Sequence, residues 1–190
     1  MNGKDKLFQF FHNKFPFNKE GLDEFVTAFK IKKCKKGELI LSSGEVENEL
    51  RFLDKGIVRE FYSSALKEKN IHFYIESEFV TDFFSFNNTL QTKKYQECLT
   101  DIQLRTISKD KLISFTNKYP CGLVFFESIF QRIIAKKQTD EYNHCTKSVD
   151  ELYLEIMKNN PEWLQQVPQY HIASYLGITP ETLSRIRKRI

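Results

Sequence analysis

The 190-residue chain is poor in residues that break or staple a fold, with seven glycines, five prolines and four cysteines. Cys34, Cys98, Cys121 and Cys145 are scattered and form no C-x-x-C pair. Neither a disulfide framework nor a zinc or iron–sulfur centre is expected from such spacing. His144 and Cys145 are the single His/Cys neighbour pair, and adjacent helical side chains diverge by about 100°, too far to converge on one metal. No apolar run approaches the roughly 18 residues that cross a bilayer. The segment Met1–Lys6 is charged, and the apolar cluster behind it is broken by His12 and Lys14, which does not read as a secretion signal. H-E-x-x-H, G-x-S-x-G and P-loop spacings are missing. Glu76, Glu78 and Asp82 cluster, but loop carboxylates are more often solvated than paired for acid–base work. The expectation is a cytoplasmic, non-enzymatic chain with no membrane partner, no metal and no resident cofactor.

What is present is a globular composition, 41% hydrophobic and 28% charged. Eighteen phenylalanines predict an aromatic core. The length suits one large domain or two small ones. The net charge of +4 permits nucleic-acid binding without requiring it.

The texture changes near residue 109. Residues 4–31 read as helical, with Leu7, Phe10, Phe11 and Phe15, then Leu22, Phe25, Val26 and Phe29, at spacings of three and four. Pro16 breaks the run and Asn18 is a candidate cap. Short strands follow around 38–41, 50–53, 57–62, 71–75, 97–100 and 102–107, separated by turn signals such as Asp54-Lys55-Gly56. Such spacing predicts a small antiparallel barrel or β-roll. Residues 109–118, 121–145 and 148–159 then read as helices. The apolar stripe of the second is too wide for one contact surface. Burial in its own domain and pairing with a partner copy both fit; Phe126, Ile129, Phe130 and Ile133 are the candidate dimer contacts.

Residues 167–188 carry the most information. Pro168 suits a helix's opening turn, and Ile172, Ala173 and Leu176 form one apolar face. Gly177 stands where a helix C-terminus takes a left-handed residue. Thr179 is a good N-cap, and Pro180 fits position N1 of a second helix. In that helix Leu183, Ile186 and Ile190 share one side, while Glu181, Ser184, Arg185 and Lys188 project away. Arg185, Arg187, Lys188 and Arg189 concentrate positive charge there. Two short helices, a glycine turn and a basic outer face define a DNA-binding helix-turn-helix.

The segment Ile172-Ala173-Ser174-Tyr175-Leu176-Gly177-Ile178-Thr179-Pro180-Glu181-Thr182-Leu183-Ser184-Arg185 resembles the helix-turn-helix of the cyclic-AMP receptor/fumarate-nitrate regulator (Crp/Fnr) family. The resemblance extends in architecture over the whole chain. It implies an α+β fold: a β-roll sensor domain of the cyclic-nucleotide-binding type over 1–120, a dimerisation helix over 121–146 and a winged helix-turn-helix over 147–190. It implies base reading by Glu181 and Arg185, with Ser184 beside them; Arg reads guanine and Glu accepts from cytosine. Thr179, Thr182, Arg187 and Lys188 are candidate phosphate contacts. Pro180 stands where the family's best-known members place a base-reading Arg. The implied partners are double-stranded DNA at a palindromic site, a second copy of the chain, and RNA polymerase.

Cyclic-nucleotide-binding members carry a Gly-Glu-Leu run and then Arg-Ser or Arg-Thr. The corresponding stretches here are Thr81-Asp82-Phe83 and Thr92-Lys93. Loss of the glycine removes close backbone approach, and loss of the arginine removes a bidentate phosphate grip. Cyclic AMP is therefore not expected as the effector, although Lys93 or Lys94 could meet an anion as a point charge. The family's N-terminal cysteine cluster for iron–sulfur sensing is missing, and His12 or His72 would be the haem ligands to consider. The competing reading is a small-molecule-binding β-roll with a vestigial DNA-binding part.

Overall fold

The computed structural model describes residues 5–12, 19–118 and 121–190, and their side chains except at 19, 20, 121–126, 128–130 and 132. Pro16 and Asn18 lie outside the described residues. Two short helices, α1 (Lys6–His12) and α2 (Lys19–Thr27), lead into strand β1 (Lys30–Cys34). The sequence pattern extended the helical reading to residue 31, but Lys30–Cys34 pairs antiparallel with β8 (Ile102–Ser108). Strands β2 (Leu39–Leu41), β3 (Glu49–Lys55), β4 (Val58–Ser63), β5 (Glu68–Tyr74), β6 (Glu78–Phe79) and β7 (Tyr95–Cys98) complete the roll, with helix α3 (Phe83–Asn88) between β6 and β7.

The strands form two four-stranded sheets, ordered β1-β8-β3-β6 and β2-β7-β4-β5, with antiparallel pairing throughout. Alternation in β8 buries Ile102, Leu104 and Thr106 while leaving Gln103 and Arg105 half-buried, as a strand with one core face requires. Gly56 joins β3 to β4 at φ +99°, and a Cβ there would stand 2.7 Å from Ile102 Cγ2 and 2.8 Å from the Asp101 carbonyl. Only glycine fits that turn.

One end of the roll is closed by α1, α2 and α4 (Lys109–Lys118) around an aromatic core. Phe11 and Phe25 meet edge-on at 5.0 Å, and Phe25 lies 4.6 Å from Phe115. Helix α5 (Cys121–Thr146) then runs on to α6 (Val149–Asn159), α7 (Pro161–Gln166), α8 (Gln169–Leu176) and α9 (Pro180–Arg189). Ser148 caps α6 with a reciprocal Glu151 capping box.

No strand occurs after Ser108 among the described residues, so the expected wing has no counterpart there. Between α6 and α8 stands α7 instead, with Pro161 at its first turn. Pro161 begins a helix because its fixed φ suits position N1. Trp163 is buried, its ring 5.1 Å from Phe73 of β5 and 5.2 Å from Tyr175 of α8. Ile57 and Phe73 of the roll share one apolar core with Leu152, Ile156, Trp163, Ile172 and Leu183. The C-terminal helices are thus packed onto the second sheet.

Candidate nucleic-acid interface and the interior of the roll

Helices α8 and α9 are built from local signals. Gly177 ends α8 at φ +76°, and its N–H donates to the Ala173 and Ser174 carbonyls. Thr179 begins α9; its Oγ1 accepts from the Thr182 N–H at 3.3 Å, with Pro180 next. Leu183 and Ile186 are buried, whereas Glu181, Ser184, Arg185, Arg187 and Lys188 are exposed. Thr179 is exposed and Thr182 half-buried. Ile190, placed on the apolar side by spacing, is half exposed. Backbone N–H donation and the Thr179 hydroxyl hold Glu181 below the usual carboxylate range. Arg189 is bonded to Asp150 Oδ1 at 2.6 Å, so Arg185, Arg187 and Lys188 are the cations of the outer face without an ion pair among the described residues. Arg185 also lines a shallow cavity of about 300 Å³ with Ser148 and Asp150 at the start of α6.

Helix α8 is fastened to β5. The Asn70 N–H donates to Ser174 Oγ at 3.1 Å, and Asn70 Nδ2 donates to the His171 carbonyl at 3.2 Å. The same amide lies 3.2 Å from His171 Nδ1, which therefore accepts and leaves the ring proton on Nε2. Burial, then the nearby Arg59 guanidinium, push the His171 pKa down to about 4. Arg59 is itself held by Glu97 at 2.7 Å and Glu68 at 2.9 Å.

The roll interior is polar. Arg51 pairs with Glu47, donates from Nε to the Val80 carbonyl at 3.1 Å, and donates to Gln96 Oε1 at 3.1 Å. Gln96 Nε2 donates to Glu60 Oε2 at 2.8 Å, and the Tyr74 hydroxyl donates to the same oxygen at 3.0 Å. Lys94 Nζ stands 2.9 Å from Asp82 Oδ1 and 3.3 Å from Glu60 Oε1. Thr92 Oγ1 donates to Asp82 Oδ2 at 2.7 Å. Burial alone would raise the Asp82 pKa, but Lys94 and the Thr92 hydroxyl outweigh it and hold it low. Burial likewise opposes the charge on Lys94, and Glu60 and Asp82 overcome it. Three buried carboxylates, Glu47, Glu60 and Asp82, face two buried cations, Arg51 and Lys94. Lys137 of α5 reaches the edge of this set, where desolvation and the Lys94 ammonium lower its pKa.

The expected effector residues are thus placed unevenly. Thr81, Asp82 and Thr92 lie together, but as partners of the protein: Thr81 Oγ1 accepts from the Arg51 N–H at 2.9 Å. Phe83 belongs to the aromatic core. Lys93 is exposed, and Lys94 takes the inward position, because Thr92, Lys94, Gln96 and Cys98 alternate onto the buried face of the β7 segment. Glu47, Arg51, Glu60, Tyr74 and Gln96 were not singled out from sequence. Of the candidate dimer contacts, the side chains of Phe126, Ile129 and Phe130 lie outside the described residues; Ile133 packs against the aromatic core. His72 lies on β5 with its ring against Tyr74 and Trp163. Among the described residues no group of three His, Cys, Asp or Glu could hold a metal ion, and no helix is long and apolar enough to cross a membrane.

The sequence matches no family model and no curated protein. Solved structures do match. A CooA variant from Carboxydothermus hydrogenoformans superposes with a TM-score of 0.69 at 13% identity, over 100% of this chain and 85% of that one. The c-di-GMP-responsive global regulator CLP of Xanthomonas campestris gives 0.68 at 16% identity, over 90% and 91%. The catabolite activator protein of Thermus thermophilus gives 0.60 at 15%, over 97% and 86%. The chain has the fold of these proteins: a β-roll of the kind found in cyclic nucleotide-binding domains, with a helical C-terminal part.

Proposed function

We propose that the chain is a sequence-specific DNA-binding transcriptional regulator, not an enzyme, that binds a palindromic site as a homodimer. The observation that carries this reading is α9, a capped helix with Leu183 and Ile186 buried beneath it and Glu181, Ser184, Arg185, Arg187 and Lys188 exposed. A recognition helix enters the major groove with its N-terminal residues on base edges. Glu181, Ser184 and Arg185 then read bases, while Thr179, Thr182, Arg187 and Lys188 meet phosphates. Residues 1–120 form the sensor, 121–146 the dimerisation helix and 147–190 the DNA-binding part, with RNA polymerase as a further partner. The shared fold, and the regulatory roles of CLP and the catabolite activator protein among the neighbours, support the assignment.

The sensor does not take cyclic AMP in this reading. A cyclic phosphate needs an unpaired cation, and Lys94 is already held by Asp82 and Glu60. The Asp82 carboxylate supplies the anion from within the chain. A second reading, a small-molecule-binding module, draws support from a cavity of about 430 Å³ between the second sheet and α8, lined by Arg59, Asn70 and His171 among others.

Selection by the ligand-free protein from a random duplex library tests the proposal. A two-fold palindrome with a fixed G·C pair in each half-site is the expected product. Salt-sensitive retention without any enriched sequence would count against sequence-specific reading by the ligand-free protein.

A further inference from the structure

The β4–β5 hairpin of the roll stands beside the turn of the helix-turn-helix. Its placement is fixed by the bonds from Asn70 to Ser174 and His171, and by a bond from Ser174 Oγ to the Glu68 carbonyl. Lys69, next to Asn70 on the same strand, sends its ammonium to the turn: a Cβ built on Gly177 would lie 3.0 Å from Lys69 Nζ. No carboxylate lies within ion-pair distance of Lys69 among the described residues, in contrast to Arg59 on the neighbouring strand β4, which has two. Lys67, in the same hairpin, is exposed and makes no ion pair among the described residues. Removal from water and the proximity of Lys67 both oppose the charge on this half-buried lysine, Lys69.

Gly177 precedes Thr179, the cap of α9, by two residues, at most about 8 Å of chain. When the N-terminal turn of α9 enters a groove, the phosphates bordering that groove pass the turn that precedes it. We infer that Lys69 and Lys67 of the sensor hairpin form an accessory phosphate clamp for duplex DNA, extending the basic face of α9 onto the roll. The inference rests on the DNA-binding reading above and adds to it a contact from outside the helix-turn-helix. It carries no sequence information, because phosphates are common to all sites. The competing role for Lys69 is local: a cation near Gly177 also faces the free carbonyls at the C-terminus of α8.

The test measures fluorescence anisotropy of the full chain on a selected palindrome and on a random duplex over a range of KCl concentrations, with thermal melting of each variant. Lys69→Gln is expected to flatten the salt slope by about one unit and to weaken binding roughly eightfold at 0.1 M salt, equally on both duplexes. Lys69→Arg restores the slope. Lys67→Gln, at an exposed site where folding is not at risk, lowers it in the same sense. A lowered melting temperature in Lys69→Gln with unchanged slopes in all variants would overturn the clamp and leave the α8 role, while the DNA-binding reading stands. Failure of the wild-type chain to bind either duplex would overturn both.

Discussion

The roll holds two interiors of opposite character. At one end, Phe11, Phe25, Phe29, Phe52, Phe83, Phe86 and Phe115 pack with leucines into a core held by area and edge-on ring contacts. Between the sheets, Glu47, Arg51, Glu60, Asp82, Lys94 and Gln96 are buried together and held by charge and hydrogen bonds. An aromatic core loses stability in proportion to what is removed. An ionic interior behaves as a unit, since removing one member strands the others in a medium that cannot solvate them. The contrast bears on ligand chemistry: an interior whose two buried cations, Arg51 and Lys94, are both held by carboxylates offers no unpaired cation to a charged ligand.

Paired substitutions separate the two interiors. Phe25→Ala should cost about 3–5 kcal/mol through lost burial and the cavity left behind. Lys94→Met should cost about the same, although it removes no apolar area, because Glu60 and Asp82 would remain buried without a cation. Adding Asp82→Asn and Glu60→Gln to Lys94→Met should recover most of that loss in urea unfolding, whereas no neutral partner substitution rescues Phe25→Ala. A Lys94→Met chain as stable as wild type would show that the ionic interior is not a unit.

The joint between roll and α8 gives the next largest effect, and it is pH-dependent. The His171 pKa lies at about 4, below its ordinary 6.5, so protons bind the unfolded chain first. Its contribution to stability is complete above about pH 6.5 and is lost as pH falls toward 4, by at most about 3 kcal/mol. His171→Gln has no proton to gain. Subtracting its stability profile from that of wild type should expose a decline confined to this window; parallel profiles would remove His171 from the pH response. A smaller effect separates the two glycine turns. Gly56→Ala meets backbone and Ile102 as well as an unfavourable φ, for about 2–3 kcal/mol. Gly177→Ala meets only the mobile end of Lys69, for about 1–2 kcal/mol. Equal melting temperatures for the two variants would contradict that ranking.

The helix-turn-helix was legible because its signals are local. Gly177, Thr179 and Pro180 set the turn within four residues, and Leu183 and Ile186 set the buried side. The roll was legible as a class from its strand spacing, but β1 was missed: its first two residues fell at the end of the helical pattern and the rest carried no strand signal. Lys30-Ile31-Lys32-Lys33-Cys34 has four exposed residues, as a lysine-rich edge strand does, and carries no inward alternation. Helix α7 was missed because Asn160-Pro161 ends one helix and begins the next. The ionic interior was not legible, since its members come from distant segments and each alone reads as a solvated charge. One signal was available: Thr92, Lys94, Gln96 and Cys98 share a face, which selects Lys94 over Lys93 as the inward lysine.

Base reading by α9 stands or falls with Arg185→Ala, measured against the selected palindrome, its single-base variants and random duplex. A base-reading Arg185 gives a loss of about 1–3 kcal/mol on the palindrome, relaxed discrimination at one base pair, and nearly unchanged affinity for random DNA. An equal loss on palindrome and random duplex would contradict it, reducing Arg185 to a phosphate contact and leaving α9 without its reading residue.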